Sequence, residues 1–198
     1  MEHYYSRIPM CSSNERLIEC KIQDTNFRFV TDNGVFSKKH LDFATEFLLK
    51  VLLTKENIKG KVLDLGCGYG PIGITICKLC DTDVIMADIN LRAIELAERN
   101  AFLNKVTRID TKESDCFQSI TDKFDVIITN PPIRAGKETT YNMYKNAKEH
   151  LNDGGALYIV INKKHGAPSA MEYLKELYGN CEVLDKKAGF NVLKCVKK

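Results

Sequence analysis

The residues best suited to chemistry follow an apolar run, where Asn130 precedes Pro131 and Pro132. Proline fixes the backbone and carries no N–H, so two prolines leave the loop rich in carbonyl acceptors and poor in donors. The side-chain oxygen of Asn130 adds another acceptor. Such a loop suits a substrate that brings hydrogen-bond donors, above all an NH2 group. Alternatively, the three residues only end a strand.

A nucleobase amine is a poor nucleophile because its lone pair is delocalised into the ring. Two acceptors that hold its two N–H groups favour a pyramidal nitrogen, which attacks a methyl donor more readily. Positioning and electrostatics then supply most of the catalysis, and no strong base is required. We therefore predict that Asn130, Pro131, Pro132 and the following Ile133 form a catalytic loop.

A second motif is the glycine-rich segment 64–70, DLGCGYG, which follows a short apolar run and precedes a helical pattern. Glycines allow tight turns and close approach of a ligand to the backbone, and the helix start offers unpaired N–H groups. Segment 68–73 also matches the dinucleotide pattern GxGxxG. However, the carboxylate of Asp64 would repel a pyrophosphate and attract a sulfonium or an amino group. The segment thus favours S-adenosylmethionine over NAD.

Acidic residues lie at or just after the ends of the next two predicted strands. Asp88 ends the first of them and is placed to accept hydrogen bonds from ribose hydroxyls. Its alternative role is to cap the following helix, which Asn90 could do instead. Asp115 follows the second strand and is a candidate for the adenine amine, with Ile89 or Phe117 against the adenine ring.

Short apolar runs alternate with helical patterns from Lys61 onward, which predicts an α/β fold with a mostly parallel sheet covered on both faces. The last two strands follow each other directly and predict an antiparallel C-terminal hairpin. The predicted strands are 61–65, 84–88, 107–111, 124–129, 155–161, 181–186 and 190–196, and the predicted helices are 71–80, 90–102, 140–151 and 167–178.

The N-terminal part has a different pattern. Alternating residues over 17–30 predict a β-hairpin that turns at 24–26. Ser37 is a candidate cap for a helix whose apolar residues, from Leu41 to Leu52, recur at helical spacing.

The composition is that of a globular domain, with 198 residues, 44% hydrophobic, 28% charged and a net charge of +3. No apolar run approaches the ~18 residues needed to cross a membrane. We expect a cytoplasmic protein with eight reduced cysteines. The single CxxC, from Cys77 to Cys80, lacks the second pair that a zinc site needs, and no metal is expected.

Together, the segments 64–70 and 130–132 resemble the amino methyltransferases, which modify exocyclic or amide nitrogens. A narrower resemblance, over about 30–198, is to the catalytic half of the small-subunit ribosomal RNA guanine-N2 methyltransferases. It rests on GVFS at 34–37 with Leu41-Asp42, on Asn130-Pro-Pro with Gly136, on LNDGGALYIVIN at 151–162, and on Gly189-Phe190 with Val192.

The resemblance implies a class I methyltransferase (Rossmann-like) fold, with a seven-stranded, mostly parallel sheet in the order 3-2-1-4-5-7-6 and an antiparallel C-terminal hairpin. Residues 1–35 would be an extension packed on the methyltransferase domain, 36–198. Arg134 and Lys137 are expected to contact the phosphates of an RNA substrate, either ribosomal RNA or a small-subunit particle. The residues expected to bind S-adenosylmethionine are Phe36, Asp64, Gly66, Cys67, Gly68, Gly70, Asp88, Ile89, Asp115, Cys116 and Asn130.

Two features depart from the family pattern. Ile133 stands where an aromatic residue usually stacks on the target base. Full-length members also carry an N-terminal companion domain, for which this chain is too short, so either substrate recognition differs or a self-associated form supplies the missing surface. The alternative substrates are a protein glutamine or adenine N6 in DNA. A non-catalytic cofactor-binding protein that acts in RNA assembly is the remaining alternative.

Overall fold

A computed structural model describes residues 7–37, 40–132 and 136–198. The strands in this part of the chain are β1 (Arg16–Ile22), β2 (Thr25–Thr31), β3 (Val62–Leu65), β4 (Val84–Asp88), β5 (Ile109–Glu113), β6 (Phe124–Thr129), β7 (Leu151–Asn162), β8 (Glu182–Lys187) and β9 (Phe190–Val196). The α-helices are α1 (Phe43–Lys55), α2 (Pro71–Cys80), α3 (Leu91–Leu103), α4 (Lys137–His150) and α5 (Ala167–Tyr178).

Seven strands form the main sheet, in the order β5-β4-β3-β6-β7-β9-β8. Strands β3 to β7 pair in parallel, and β9 is antiparallel to both of its neighbours. Counted within this sheet alone, the order is 3-2-1-4-5-7-6. The expected α/β class, the strand order and the reversed C-terminal hairpin are confirmed.

The sheet separates two apolar cores because side chains alternate across a strand. In β3, Val62 packs on the side of α1, α2 and α3, whereas Leu63 packs on the side of α4 and α5. Val126 and Ile127 divide in the same way in β6. The central strands are apolar at nearly every position because both of their faces are buried.

The carboxyl ends of β3, β4 and β6 meet at one edge of the sheet, where the chain order reverses between β3 and β6. Open α/β sheets bind their ligands in the crevice at such a switch point. The glycine-rich segment, Asp88 and the Asn-Pro-Pro segment lie at the carboxyl ends of these three strands, so the topology places them together.

The predicted N-terminal hairpin is present as a separate two-stranded sheet, and it docks on α3 through two asparagine side chains. Asn100 accepts from Val30 N at 2.7 Å and donates to Val30 O at 2.8 Å. Asn104 makes the same pair of bonds to Arg28, at 3.0 and 2.7 Å. The amides thus satisfy backbone groups of β2 that β1 does not reach.

Several predicted boundaries differ from the structure. Helix α1 is capped by Asp42, whose carboxylate accepts from Thr45 N, and Ser37 is not the cap. Ser37 has φ of 60°, outside the extended conformation that a capping residue adopts. The third strand of the main sheet is 109–113, two residues later than predicted. Helix α4 begins at Lys137, three residues before the predicted start at 140. The prediction missed its first turn because the residues there are polar and show no apolar helical spacing.

The eight cysteines are free thiols, and Cys77 donates to a backbone carbonyl of Arg108. Over residues 7–37, 40–132 and 136–198, no three side chains of the metal-binding types lie close enough to hold an ion. None of the helices described is both long and apolar enough to cross a membrane.

Candidate active site

A cleft with an empty volume of about 1140 Å³ opens at the carboxyl ends of β3, β4 and β6. Most of the residues predicted for the site line it. They are Phe36, Gly66, Cys67, Gly68, Asp88, Ile89, Asp115, Cys116, Asn130, Pro131 and Pro132. Asp64, Gly70 and Lys137 are not among the lining residues. Ile133 and Arg134 lie outside the residues that the structure describes.

The glycine-rich turn wraps over the end of β4. Gly66 N and Cys67 N donate to Ala87 O at 2.8 and 3.0 Å. Gly66 and Gly68 have φ of 73° and 57°, which glycine adopts without a steric cost. A Cβ added at either position would meet no protein atom within 4 Å, because it would point into open space. The turn therefore presents bare backbone to the cleft.

Asp88 holds this turn in place. Its carboxylate accepts from Gly68 N at 2.8 Å and from Asn90 N at 2.9 Å. Burial raises the pKa of Asp88 above its usual value, and the N–H groups of these two residues oppose that rise. Each carboxylate oxygen keeps a second lone pair for a ligand hydroxyl. The helix-cap role belongs to Asn90, whose side chain accepts from Arg92 N and Ala93 N.

Asp64 lies behind the turn and not in the wall of the cleft, which corrects the expected direct contact with a cationic group. It is on the same face of β3 as Val62, so its side chain points under α2 and is 0% exposed. One oxygen accepts from Gly73 N at 2.8 Å, and the other has no partner among the described residues. Burial raises the pKa of this carboxyl to about 7. Asp64 therefore positions the glycine turn against α2.

The far wall of the cleft follows β4 and β5. Ile89, Ser114, Asp115 and Cys116 line it. Phe117, the second candidate to contact an adenine ring, is in the core instead, with its ring centroid 4.5 Å from that of His150. Ile89 is thus the predicted ring contact that the structure retains.

Asn130 occupies the near wall, at the end of β6. Its Nδ2 donates to Asp42 Oδ2 and to Thr45 Oγ1, both at 3.2 Å. The neighbouring Thr129 hydroxyl donates to Leu65 O at 2.8 Å, which ties the end of β6 to the end of β3. The amide nitrogen is held by two acceptors, and within the described part of the chain no residue donates to the amide oxygen, which is therefore open to a ligand as an acceptor.

Asp42 and Thr45 also line the cleft, and sequence reasoning assigned them no role in the site. An acidic residue just before a helical pattern is a capping signal, which would have identified Asp42. Its contact with Asn130, 88 positions away, has no signal in the sequence.

Gly70 and Lys137 have other environments. Gly70 starts α2 with φ of 92°, and a Cβ there would lie 2.9 Å from Ile74 Cδ1. This glycine is therefore needed for packing of the turn. Lys137 begins α4, and its Nζ lies 5.0 Å from the centroid of the Tyr141 ring.

The cleft has the features that S-adenosylmethionine requires. Bare glycine backbone lines it next to the Asp88 carboxylate, which accepts from Gly68 N. The apolar Ile89 and the acidic Asp115 line it as well. The strand order together with this cleft defines a class I S-adenosylmethionine-dependent methyltransferase domain.

Comparison with known proteins gives the family. Residues 26–194 match the model of the methyltransferase small domain, and the chain belongs to this family. It is 42% identical to Bacillus subtilis YbxB, named as an uncharacterized protein, over 99% of this chain and 98% of that protein. It is also 42% identical to the Haemophilus influenzae ribosomal RNA small subunit methyltransferase C, over 80% of this chain and 48% of that protein.

Among solved structures, the fold resembles the T. thermophilus 16S rRNA N2 methyltransferase RsmC, which was solved in complex with AdoMet and guanosine. The TM-score is 0.83 at 27% identity, over 96% of this chain and 52% of that one. The chain thus spans about half the length of the ribosomal RNA methyltransferases that it matches. S-adenosylmethionine is the cofactor of this domain.

Proposed function

We propose that this domain methylates the exocyclic N2 of guanine in small-subunit ribosomal RNA. The observation that carries the proposal is the fixed amide of Asn130, whose nitrogen is held by Asp42 and Thr45. Its oxygen is thereby left as an acceptor for a substrate amine. The similarity to ribosomal RNA small subunit methyltransferases supports RNA as the substrate class.

The residues on either side of the cleft have separate roles in this proposal. Gly66, Gly68 and Asp88 hold S-adenosylmethionine, while Ile89 and Asp115 enclose its adenine. When bound, the cofactor supplies an electrophilic methyl group. Phe36, 41% exposed at the mouth of the cleft, covers an apolar part of the ligands.

The Asn-Pro-Pro loop holds the target amine. The side-chain oxygen of Asn130 accepts one of its N–H groups, and a backbone carbonyl of the loop accepts the other. Both acceptors strengthen their hold as the nitrogen becomes pyramidal and positive, so the loop binds the transition state better than the ground state. Pro131 and Pro132 keep these carbonyls free of competing donors.

The RNA backbone is expected to contact the segment that follows the loop. Lys137 is exposed in the first turn of α4, next to this segment. A lysine in this position can pair with a phosphate and would make RNA affinity dependent on salt. Arg134 remains a predicted phosphate contact.

The test is to incubate the purified protein and labelled S-adenosylmethionine with unmethylated ribosomal RNA, DNA and a protein extract, and to identify the methylated product. We expect N2-methylguanosine in small-subunit RNA. Labelled N6-methyladenine or N5-methylglutamine would identify another substrate and overturn the proposal, as would the absence of transfer to any pool.

The matched variant is Asn130→Ala. We expect turnover to fall about 100-fold or more, which is the usual cost of losing one well-placed polar group in a transition state. The sequence also predicted a cofactor contact for Asn130, but this proposal assigns its side-chain oxygen to the amine, so the affinity for S-adenosylmethionine, measured by calorimetry, should change little. Wild-type turnover in this variant would show that the loop is only structural.

A further inference from the structure

We propose that Asp42 makes this site specific for guanine, by accepting the N1–H of the base while Asn130 accepts from the N2 amine. This inference rests on the proposed function and names the group that distinguishes guanine from other amines. It concerns one oxygen atom, Asp42 Oδ1, which accepts no hydrogen bond from the residues that the structure describes.

The two oxygens of Asp42 have different surroundings. Oδ2 accepts from Thr45 N at 3.1 Å and from Asn130 Nδ2 at 3.2 Å. Oδ1 accepts no hydrogen bond from any residue in the described ranges, while Asp42 itself lines the cleft. The helix cap and the amide therefore fix the carboxylate and leave one oxygen for a ligand. The N-terminus of α1 favours a negative charge at this position.

Asp42 and Asn130 thus present two acceptors side by side. Their side chains are in direct hydrogen-bond contact, so the free oxygen of Asp42 and the amide oxygen of Asn130 belong to one continuous polar surface. A ligand that matches this surface must offer two adjacent donors, since a bare acceptor facing the carboxylate would lose its own hydrogen bond.

Guanine meets this requirement on its Watson–Crick edge, where the N2 amine is next to N1–H. In adenine the N6 amine is next to N1, which is an acceptor. In cytosine the N4 amine is next to N3, also an acceptor, and in glutamine the amide NH2 is next to a carbonyl oxygen. The acceptor pair therefore selects guanine among the amines that an Asn-Pro-Pro enzyme could methylate.

A simpler role for Asp42 is to hold Asn130, and Thr45 provides the control. Its hydroxyl accepts from the same Asn130 nitrogen at 3.2 Å. Thr45→Val removes that bond without altering the acceptor at position 42. Asp42→Asn keeps an oxygen for Thr45 N and for Asn130 but turns an NH2 donor toward the base. Asparagine suits position 42 because it is as good a helix cap as aspartate, and valine has nearly the same shape as the buried Thr45.

The experiment uses two transcripts of the substrate RNA, with guanine or adenine at the nucleotide mapped in the preceding test. We expect the wild-type protein to prefer guanine by about 100-fold or more in kcat/KM. Asp42→Asn should reduce this ratio at least about tenfold, because its donor complements adenine N1. Thr45→Val should lower kcat and leave the ratio unchanged. An unchanged ratio in Asp42→Asn, with a loss of rate on both transcripts, would show that Asp42 only positions Asn130.

A second measurement needs no variant. A transcript ligated to carry 2-aminopurine at the target keeps the 2-amine but presents a bare acceptor at N1. We expect the wild-type protein to methylate it about 100-fold more slowly than guanine. Equal rates would overturn the role of Asp42 while leaving guanine-N2 methylation intact. A mapped product other than N2-methylguanosine would instead refute the proposed function.

Discussion

At the scale of single residues, the site depends on which atoms are already engaged. The nitrogen of Asn130 is held by two acceptors, and the carboxylate of Asp42 is held by a backbone N–H and that same nitrogen. The orientation of the amide is therefore set by the fold before any ligand arrives. Such preorganisation is what a positioning mechanism requires.

Asn130→Asp tests this arrangement. The new carboxylate would face Asp42 Oδ2, where the amide nitrogen now donates at 3.2 Å, and two like charges would be placed in contact. We expect turnover to fall at least as far as in Asn130→Ala, about 100-fold or more, although an acceptor is retained. Single-turnover methyl transfer measures this. More than a tenth of the wild-type rate would show that an acceptor oxygen alone suffices.

Asp64 should make stability dependent on pH. Burial raises its pKa from 3.8 in the unfolded chain to about 7 in the folded protein. Between these two pH values the folded protein keeps a proton on Asp64 that the unfolded chain has lost. The contribution of the protonated acid is fully present below about pH 4 and is lost as the pH rises toward 7. The loss is on the order of 2–4 kcal/mol.

Asp64→Asn removes this titration while keeping an acceptor for Gly73 N. We expect the free energy of unfolding of the variant to change less than that of the wild type between pH 5 and about 8. Urea denaturation without added S-adenosylmethionine measures the difference. Parallel pH profiles would mean that Asp64 does not titrate in this interval.

At the scale of elements, the glycine in the turn and the glycine in α2 have different structural roles. Gly73 is in α2, where an added Cβ would lie 2.6 Å from Met86 Cγ and 3.1 Å from Asp64 Oδ2. Gly68 is in the turn, where an added Cβ would meet nothing within 4 Å. One glycine allows a helix to approach the sheet, and the other leaves room in the cleft.

Alanine substitutions should separate these two roles. Gly73→Ala is expected to lower the free energy of unfolding by about 1–3 kcal/mol through overpacking. Gly68→Ala is expected to cost about 1 kcal/mol of backbone strain and to weaken S-adenosylmethionine binding by more than that cost. Denaturation and calorimetry on both variants measure the two effects. If the two variants had the same free energy of unfolding and the same loss of affinity for S-adenosylmethionine, Gly68 and Gly73 would not have separate roles.

At the scale of the whole molecule, the N-terminal hairpin is linked to the cofactor turn by the buried side chain of Asn100 and by the ring of Phe29, whose centroid lies 5.9 Å from that of Tyr69. Asn100 is 0% exposed, and besides its two bonds to Val30 it donates to Tyr69 O at 2.9 Å. Tyr69 belongs to the glycine-rich turn and lines the cleft. The hairpin therefore supports the cofactor site from behind, through α3.

Asn100→Ala and Asn104→Ala form a matched pair for this link. Each removes two bonds to β2, so each should destabilise the fold by about 1–3 kcal/mol. Asn100→Ala alone also frees the carbonyl of Tyr69, and we expect it to weaken S-adenosylmethionine binding several-fold more than Asn104→Ala does. Calorimetry at a temperature where both variants are folded decides this. Equal affinities would show that the bond from Asn100 to Tyr69 O does not support the cofactor site.

The sequence by itself determined the parts of this protein that depend on neighbouring residues. The glycine turn, the proline-fixed loop, the alternation of strands and helices, and the N-terminal hairpin are local patterns, and each is present in the structure. The cleft residues at the ends of strands, Asp88 and Asn130, were predicted from their residue types and motifs, and the parallel strands bring them to one edge of the sheet.

Only the tertiary structure decided which way the other side chains face. Asp64 and Phe117 are both buried. Asp64 faces inward because of its position in the alternation of β3, and Phe117 does so because its loop packs on the core. Which of these faces is covered depends on the helices that pack there. Asp42 meets Asn130 because the start of α1 lies over the end of β6, which no spacing along the chain predicts. Contacts between distant segments arise from the packing of layers, and it is this packing that joins a helix cap to the catalytic loop.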